Sequence, residues 1–441
     1  MNINPHIKEW QKFNDLEHKV IDAFLKEYFA SNEVEKDFIA IGFRVIIDVV
    51  NVIHFQNKNE DFSNFKPIIS YKKEFKRHSF KYRNVLFSKA LININRFRIK
   101  TFFKSPSYVA QESFNLGHLK KYRDGGILYP FSIYGEILKS RKKQVEYSTT
   151  FISKIAANII KNIKNNVNDE HYKIENNLAL LIENHFNEFS NDYFHLKQNS
   201  SLKPFILSTG NLTAVRLYAR LSLGKNNAIR SFAHGHNLQN KDLHKLWMDL
   251  LISNNYYEQS ESLKEEIKNY LESLSLYEKL HKINFKFINI YPDFNFKKNN
   301  FNIENVKKIL IIGNATKSHA FSSVTAFNLE TQTAIEESIF NYFNKLDKET
   351  YYKPHPGGHL KKELLNKYSE INFLKIESKA FEKIINEYDL IVFYYTRTST
   401  ITAALNSNKP IMLFDLGIEQ HCLRSRKVLE DRCKLIDLKS L

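Results

Sequence analysis

Apolar positions recur at helical spacing through residues 7–55, with Val20, Ala23, Phe24 and Tyr28 as one run, and predict helices there. The greasiest part, Phe38 to Phe55, is interrupted by Arg44, Asp48 and Asn51. A membrane span needs about 20 nearly uncharged residues, so this stretch reads as a buried helix. Between about 60 and 145, aromatic and basic residues mix without a period. Asp124-Gly125-Gly126 marks a turn there, and the pattern places no strand. Helical spacing returns over 150–190, through Ile155-Ala156-Ala157 and Leu178 to Ile182.

Beyond residue 200 the pattern sharpens. Pro204 to Ser208 predicts a short buried strand, and Asn211 to Leu223 a helix with Gly224 as its C-cap. Ala228 to Phe232 predicts a second strand, running into Ala233-His234-Gly235-His236. Strand, helix and strand at this length form a βαβ unit, which requires a parallel sheet. Asp249 to Ser253 reads as a third strand, followed by a helix from about Ser262, and residues 283–303 read as a linker. Lys308 to Asn314 opens a second α/β unit. In it, a helix over 330–345 and strands at Tyr351, 371–376, 389–394 and 410–415 alternate with further helices. Such alternation predicts an α/β fold with doubly wound sheets and ligands at the carboxyl ends of the strands.

Composition adds bounds rather than detail. The 441 residues suffice for two domains, divided here as 1–295 and 300–441, the first with extra N-terminal helices. Hydrophobic residues at 43% argue for a folded core. The two cysteines, Cys422 and Cys433, make no zinc pattern and suit a reducing cytoplasm. Met1 to Trp10 lacks the basic-then-apolar order of a signal peptide. A net charge of +17 is spread over scattered lysine pairs such as Lys72-Lys73 and Lys142-Lys143. It reads mainly as a solvated surface, with contact at the inner face of an anionic membrane as a secondary role.

Candidate chemistry clusters at predicted strand ends. Lys353-Pro354-His355-Pro356-Gly357 is a stiff loop, because each proline fixes its own backbone angle. His355 and Lys353 there suit an anionic leaving group such as a nucleotide phosphate. Thr398, Ser399 and Thr400 precede a helix, where hydroxyls either cap the helix or help hold an anion. Gly313 and Asn314 would lie across the same crevice, and Glu419 is placed to reach a ribose hydroxyl or to sit as a surface charge. His234 or His236 could act as general base on an acceptor hydroxyl, or be a turn histidine. A metal pair completed by His244, His319, His355 or His359 is the weaker alternative, because no acidic ligand is close in sequence. The chain has no HExxH, CxxC pair or Asp-x-Asp metal signature, and no Walker A or GxGxxG motif, so kinase and dehydrogenase readings lose their main supports and no cofactor is expected beyond a nucleotide-activated co-substrate.

These residues resemble the bacterial GT-B glycosyltransferases of surface polysaccharide assembly, above all capsule Kdo transferases and teichoic-acid glycerophosphotransferases. The matching pieces are His234-Gly235, Asp249 with Ser253 and Tyr256-Tyr257, Lys353-Pro354-His355-Pro356, and Asp389…Thr398-Ser399-Thr400…Ala404-Leu405…Lys409-Pro410. They cover about residues 204–260 and 308–415. Two departures stand out, the second histidine of His234-Gly235-His236 and Arg397 before Thr398.

The resemblance implies two Rossmann-like domains facing a cleft, with the acceptor on the N-terminal one and the nucleotide donor on the C-terminal one. It also implies metal-independent transfer of a sugar, an acidic one among the candidates. The acceptor would be a polysaccharide or lipooligosaccharide, met in the cytoplasm or at the inner face of the membrane. One alternative is transfer of glycerol phosphate from a CDP-glycerol-type donor. The other is a non-catalytic basic protein binding nucleic acid or anionic membrane. The absence of a concentrated basic stripe speaks against nucleic acid as partner.

Overall fold

The computed structural model describes residues 4–56, 67, 69–76, 107–110, 128–141, 146–167, 175–198, 201–207, 212–232, 243–258, 261–274, 280, 282–287, 301–316, 327–357, 360–417, 419, 421 and 423–438. They form two compact units, one of residues 16–287 and one of residues 301–438 together with residues 4–15. The opening helix Asn4–Ala30 contributes its first part to the second unit and the rest to the first.

Each unit is built on a six-stranded parallel sheet. In the first unit the strands are β1 (Ser107–Ala110), β2 (Leu128–Phe131), β3 (Phe205–Leu207), β4 (Ile229–Phe232), β5 (Asn255–Glu258) and β6 (Asn284–Phe287), in the order β2-β1-β3-β4-β5-β6. In the second they are β7 (Lys308–Ile312), β8 (Glu349–Lys353), β9 (Leu374–Ile376), β10 (Leu390–Phe393), β11 (Ile411–Asp415) and β12 (Lys434–Asp437), in the order β12-β11-β10-β7-β8-β9. Every strand pair is parallel. The α/β class expected from the alternation is therefore present in both units.

Local sequence explains the second unit's centre. Ile309 to Ile312 and Leu390 to Phe393 are buried at every position. Unbroken apolar runs of this kind fit strands covered on both faces, as parallel sheets require. Helices follow each of β7 to β11, among them Leu329–Lys345 after β7 and Ser399–Leu405 after β10. Asn328 starts the first of these by accepting the Thr331 N–H at 2.7 Å.

Several sequence expectations change. Residues 249–253 are not a strand: Asp249 and Leu250 end the helix Leu243–Leu250, and the third strand of the βαβ run is β5, six residues later. The apolar Leu250-Leu251-Ile252 faces the core from a helix end, an ambiguity that short apolar runs always carry. Residues 283–303, which read as a linker, contain β6, and it pairs with β5 from Asn284 to Phe287. Gly224 does not take the left-handed C-cap conformation, since its φ is −61°; Asn226, at φ 59°, makes that turn instead. Asparagine reaches this region more readily than other non-glycine residues. The stretch 60–145, whose pattern predicts no strand, supplies β1 and β2 at one edge of the first sheet.

The greasy segment 38–55 forms the helices Glu33–Gly42 and Ile46–Gln56 joined by a short 3₁₀ turn. Its three polar interruptions all find partners. Arg44 pairs with Glu74 at 2.5 Å, Asp48 accepts the Ile69 N–H at 2.9 Å, and Asn51 donates to the Ile47 carbonyl at 2.7 Å. Among the described residues no helix is long and apolar enough to cross a membrane.

Candidate nucleotide-binding edge of the second sheet

The order β9-β8-β7-β10-β11-β12 reverses direction between β7 and β10, and ligands of open α/β sheets bind outside the carboxyl ends of strands at such a switch point. Gly313 and Asn314 follow β7, Lys353 is the last residue of β8, and His355 lies two residues beyond it. Thr398, Ser399 and Thr400 follow β10, and Glu419 follows β11. These four strands are neighbours, so every C-terminal candidate residue lies at one edge of one sheet.

Two tyrosines beyond β10 tie it to β7 across the switch point. The Tyr395 hydroxyl donates to the Gly313 carbonyl at 2.9 Å, and the Asn314 N–H donates to the Tyr394 hydroxyl at 2.9 Å. Gly313 is glycine for want of space, since a methyl group there would overlap the buried Tyr352 phenol. Tyr352 cannot yield, because it is packed edge-on against Phe340 and Tyr368. Gly313→Ala is therefore expected to cost about 1–3 kcal/mol by overpacking. Urea unfolding followed by tyrosine fluorescence measures this, and a midpoint equal to wild type would show that the phenol can move aside.

Beneath this edge lies a buried carboxylate. Glu336, fully buried on the helix Leu329–Lys345, accepts hydrogen bonds from the hydroxyls of Tyr352 (3.0 Å), Tyr368 (2.5 Å) and Tyr394, and from the Gln332 amide (3.0 Å). Gln332 also donates to the Asn314 carbonyl at 3.1 Å and accepts from the Thr316 hydroxyl at 2.7 Å. Burial raises the Glu336 pKa to about 7, although its four donors favour the ionised form. The same burial, with Glu336 nearby, holds Tyr352, Tyr368 and Tyr394 well above the usual phenol range, so they remain donors. Tyr394 meets Phe327 in a tilted ring contact at 5.9 Å, and Phe327 in turn meets Trp10 at 5.6 Å.

The remaining candidates are held as follows. Lys353 is partly buried, which lowers its pKa, and its amine donates to the Lys379 carbonyl. The His355 ring folds back on its own loop, with Nδ1 2.9 Å from the Gly357 carbonyl and 3.0 Å from the Gly357 N–H. Nδ1 is thus occupied within the loop. Thr398 is the N-cap of Ser399–Leu405, accepting the Thr400 N–H at 3.2 Å. Glu419 is turned inward: one carboxylate oxygen accepts both the N–H (2.7 Å) and the hydroxyl (2.6 Å) of Thr396. It clamps the β11 loop onto the β10 loop rather than standing as a surface charge. Arg397 Nε lies 3.4 Å from its other oxygen, and His421 Nε2 lies 3.8 Å from the first. Burial lowers the His421 pKa despite the two carboxylates around it, Glu419 and Asp415.

His234 and His236, the expected general bases, lie outside the described residues, as does His359. Among the described residues no group of three or more His, Cys, Asp or Glu side chains is arranged to hold a metal ion. Sequence reading missed Glu336, Gln332, Tyr394, Tyr395 and His421. One signal was available, because Gln332, Glu336, Phe340 and Phe343 follow one another at helical spacing and place a carboxylate on an apolar stripe.

No protein-family model matches the chain, and no curated protein matches its sequence.

Proposed function

We propose that this chain is a GT-B glycosyltransferase that moves a sugar from a nucleotide-activated donor to a surface glycan or glycolipid. The observation that carries this reading is the strand order of the second sheet. Its switch point falls between β7 and β10, and Gly313, Asn314, Lys353, His355, Thr398, Ser399, Thr400 and Glu419 lie at or just beyond the carboxyl ends of β7, β8, β10 and β11. In the reading, the second unit binds the donor and the first the acceptor. Lys353 and His355 neutralise the phosphate as the glycosidic bond to it breaks, the electrostatic contribution that usually dominates such catalysis. Because protein groups carry that charge, the transfer needs no metal ion. With Nδ1 committed to Gly357, the Nε2 of His355 is the nitrogen that would meet a phosphate oxygen. His234 or His236 takes the proton of the acceptor hydroxyl. An acceptor of this kind is met in the cytoplasm or at the inner face of the membrane, where a net charge of +17 favours anionic lipid.

The test is a thermal-shift series of wild type and His355→Ala with CMP, CDP, UDP, GDP and ADP, each with and without EDTA. A nucleotide at a hundredfold excess over its Kd stabilises the folded protein by about 2.7 kcal/mol. The expected result is a shift with one nucleotide, indifferent to EDTA and at least halved in His355→Ala. Stabilisation by none of the five would reject the reading. Stabilisation by oligonucleotide or anionic vesicles alone would replace it with the binding-protein alternative.

A further inference from the structure

The buried carboxylate of Glu336 has no place in the transfer chemistry, yet it is joined to the residue at the centre of the candidate edge. Asn314 is held at both ends of its backbone, its N–H by the Tyr394 hydroxyl and its carbonyl by the Gln332 amide. Both of these groups also donate to the same Glu336 oxygen. The backbone of Asn314 is therefore built onto Glu336 through two short routes with no other side chain between. Thr316, two residues on, joins the same net through Gln332.

From this geometry we infer that Glu336 is a positioning residue for the donor nucleotide, setting the backbone of Asn314 through Tyr394 and Gln332. The consequence for ligand binding rests on the glycosyltransferase reading; the positioning of Asn314 does not. Tyr352 of β8, Tyr368 of the helix Lys361–Ser369, Tyr394 beyond β10 and Gln332 on its own helix face the carboxylate, with Tyr395 alongside. Among the described residues no lysine or arginine pairs with it. Its charge is balanced by neutral donors alone, so gaining a proton removes at least one accepted bond and loosens the Tyr394–Asn314 link. The ionised form holds Asn314 most firmly. Affinity for an anionic nucleotide is then expected to rise as Glu336 loses its proton, opposite to what titration of a phosphate-binding histidine would produce.

The experiment is amide exchange on the full-length protein at Asn314, expressed relative to the intrinsic rate, for wild type, Glu336→Gln and Tyr394→Phe. Glu336→Gln keeps the shape and can still accept from one side. Tyr394→Phe keeps Glu336 and removes only the link. Expected are protection at Asn314 lower by about tenfold in both variants, the equivalent of one hydrogen bond, with β11 unchanged. Wild-type protection should also rise with pH through neutrality, while that of Glu336→Gln stays level. Unchanged protection at Asn314 in both variants overturns the inference, and so does an equal loss across β7, β10 and β11, which marks a purely structural role. In parallel, the five nucleotides are titrated into wild type and Glu336→Gln between pH 5.5 and 8.5. The expected outcome is a wild-type affinity that rises relative to the variant's as pH increases, because the contribution of His355 is common to both proteins. Binding of none of the five removes the donor-site reading, while the exchange result still decides the positioning role.

Discussion

Arg216→Met is expected to destabilise the first unit by about 3–5 kcal/mol, since three buried carbonyls would lose their donors at about 1–3 kcal/mol each. Arg216 is fully buried in the helix Thr213–Leu223. Its Nε lies 2.9 Å from the Ala40 carbonyl and 3.1 Å from that of Ile41, its Nη1 lies 2.6 Å from the Met248 carbonyl, and Nη2 also bonds Ala40. Ala40 and Ile41 belong to the last turn of the helix Glu33–Gly42, whose carbonyls have no partners within the helix. Met248 lies in the last turn of the helix Leu243–Leu250. A single guanidinium thus ends two helices inside the core. Removing a buried charge recovers some desolvation energy, but backbone carbonyls cannot be removed with it, so the loss dominates. Arg216→Lys should fare little better, because an ammonium cannot span three acceptors in a planar fork. Urea denaturation monitored by far-UV circular dichroism would decide, and a loss below about 1 kcal/mol in Arg216→Met would contradict this account.

The second large effect concerns pH. The Glu336 pKa is raised from 4.5 to about 7 in the folded protein, chiefly by burial. Between these values the folded state binds a proton that the unfolded state has released. Its contribution to stability is complete below about pH 4.5, declines as pH rises, and is gone once pH passes about 7. The loss amounts to about 3 kcal/mol. Glu336→Gln, which cannot titrate, should flatten the stability profile of the second unit over this interval, leaving it less stable than wild type at pH 5 and closer to it at pH 8. Parallel profiles for the two proteins would refute the assignment. The pairing of opposite trends is informative: global stability falls with rising pH while local order at Asn314 increases, since one reflects the cost of a buried charge and the other the bonds that charge accepts.

Strands β3, β4, β7, β8, β10 and β11 were legible because buried parallel strands are short apolar runs bounded by turn residues, as in Lys308 to Ile312 and Leu390 to Phe393. The cap at Thr398 was legible for the same local reason. β6 was not, because Asn284-Phe285-Lys286-Phe287 has the polar alternation of an edge strand and owes its place to β5. The run Leu250 to Ile252 reads as a strand but closes a helix, because burial alone does not separate a helix end from a strand.

What the sequence determined by itself is therefore the α/β class, the alternation that makes the second unit, and the loops that carry its candidate residues, all of which depend on neighbours within a few positions. Only the tertiary structure decided that the sheet order reverses between β7 and β10. It also turned Glu419 inward to Thr396, and gathered Tyr352, Tyr368 and Tyr394 from three separate elements around Glu336. A buried carboxylate is tolerated only where distant donors converge on it, and no local pattern encodes that convergence.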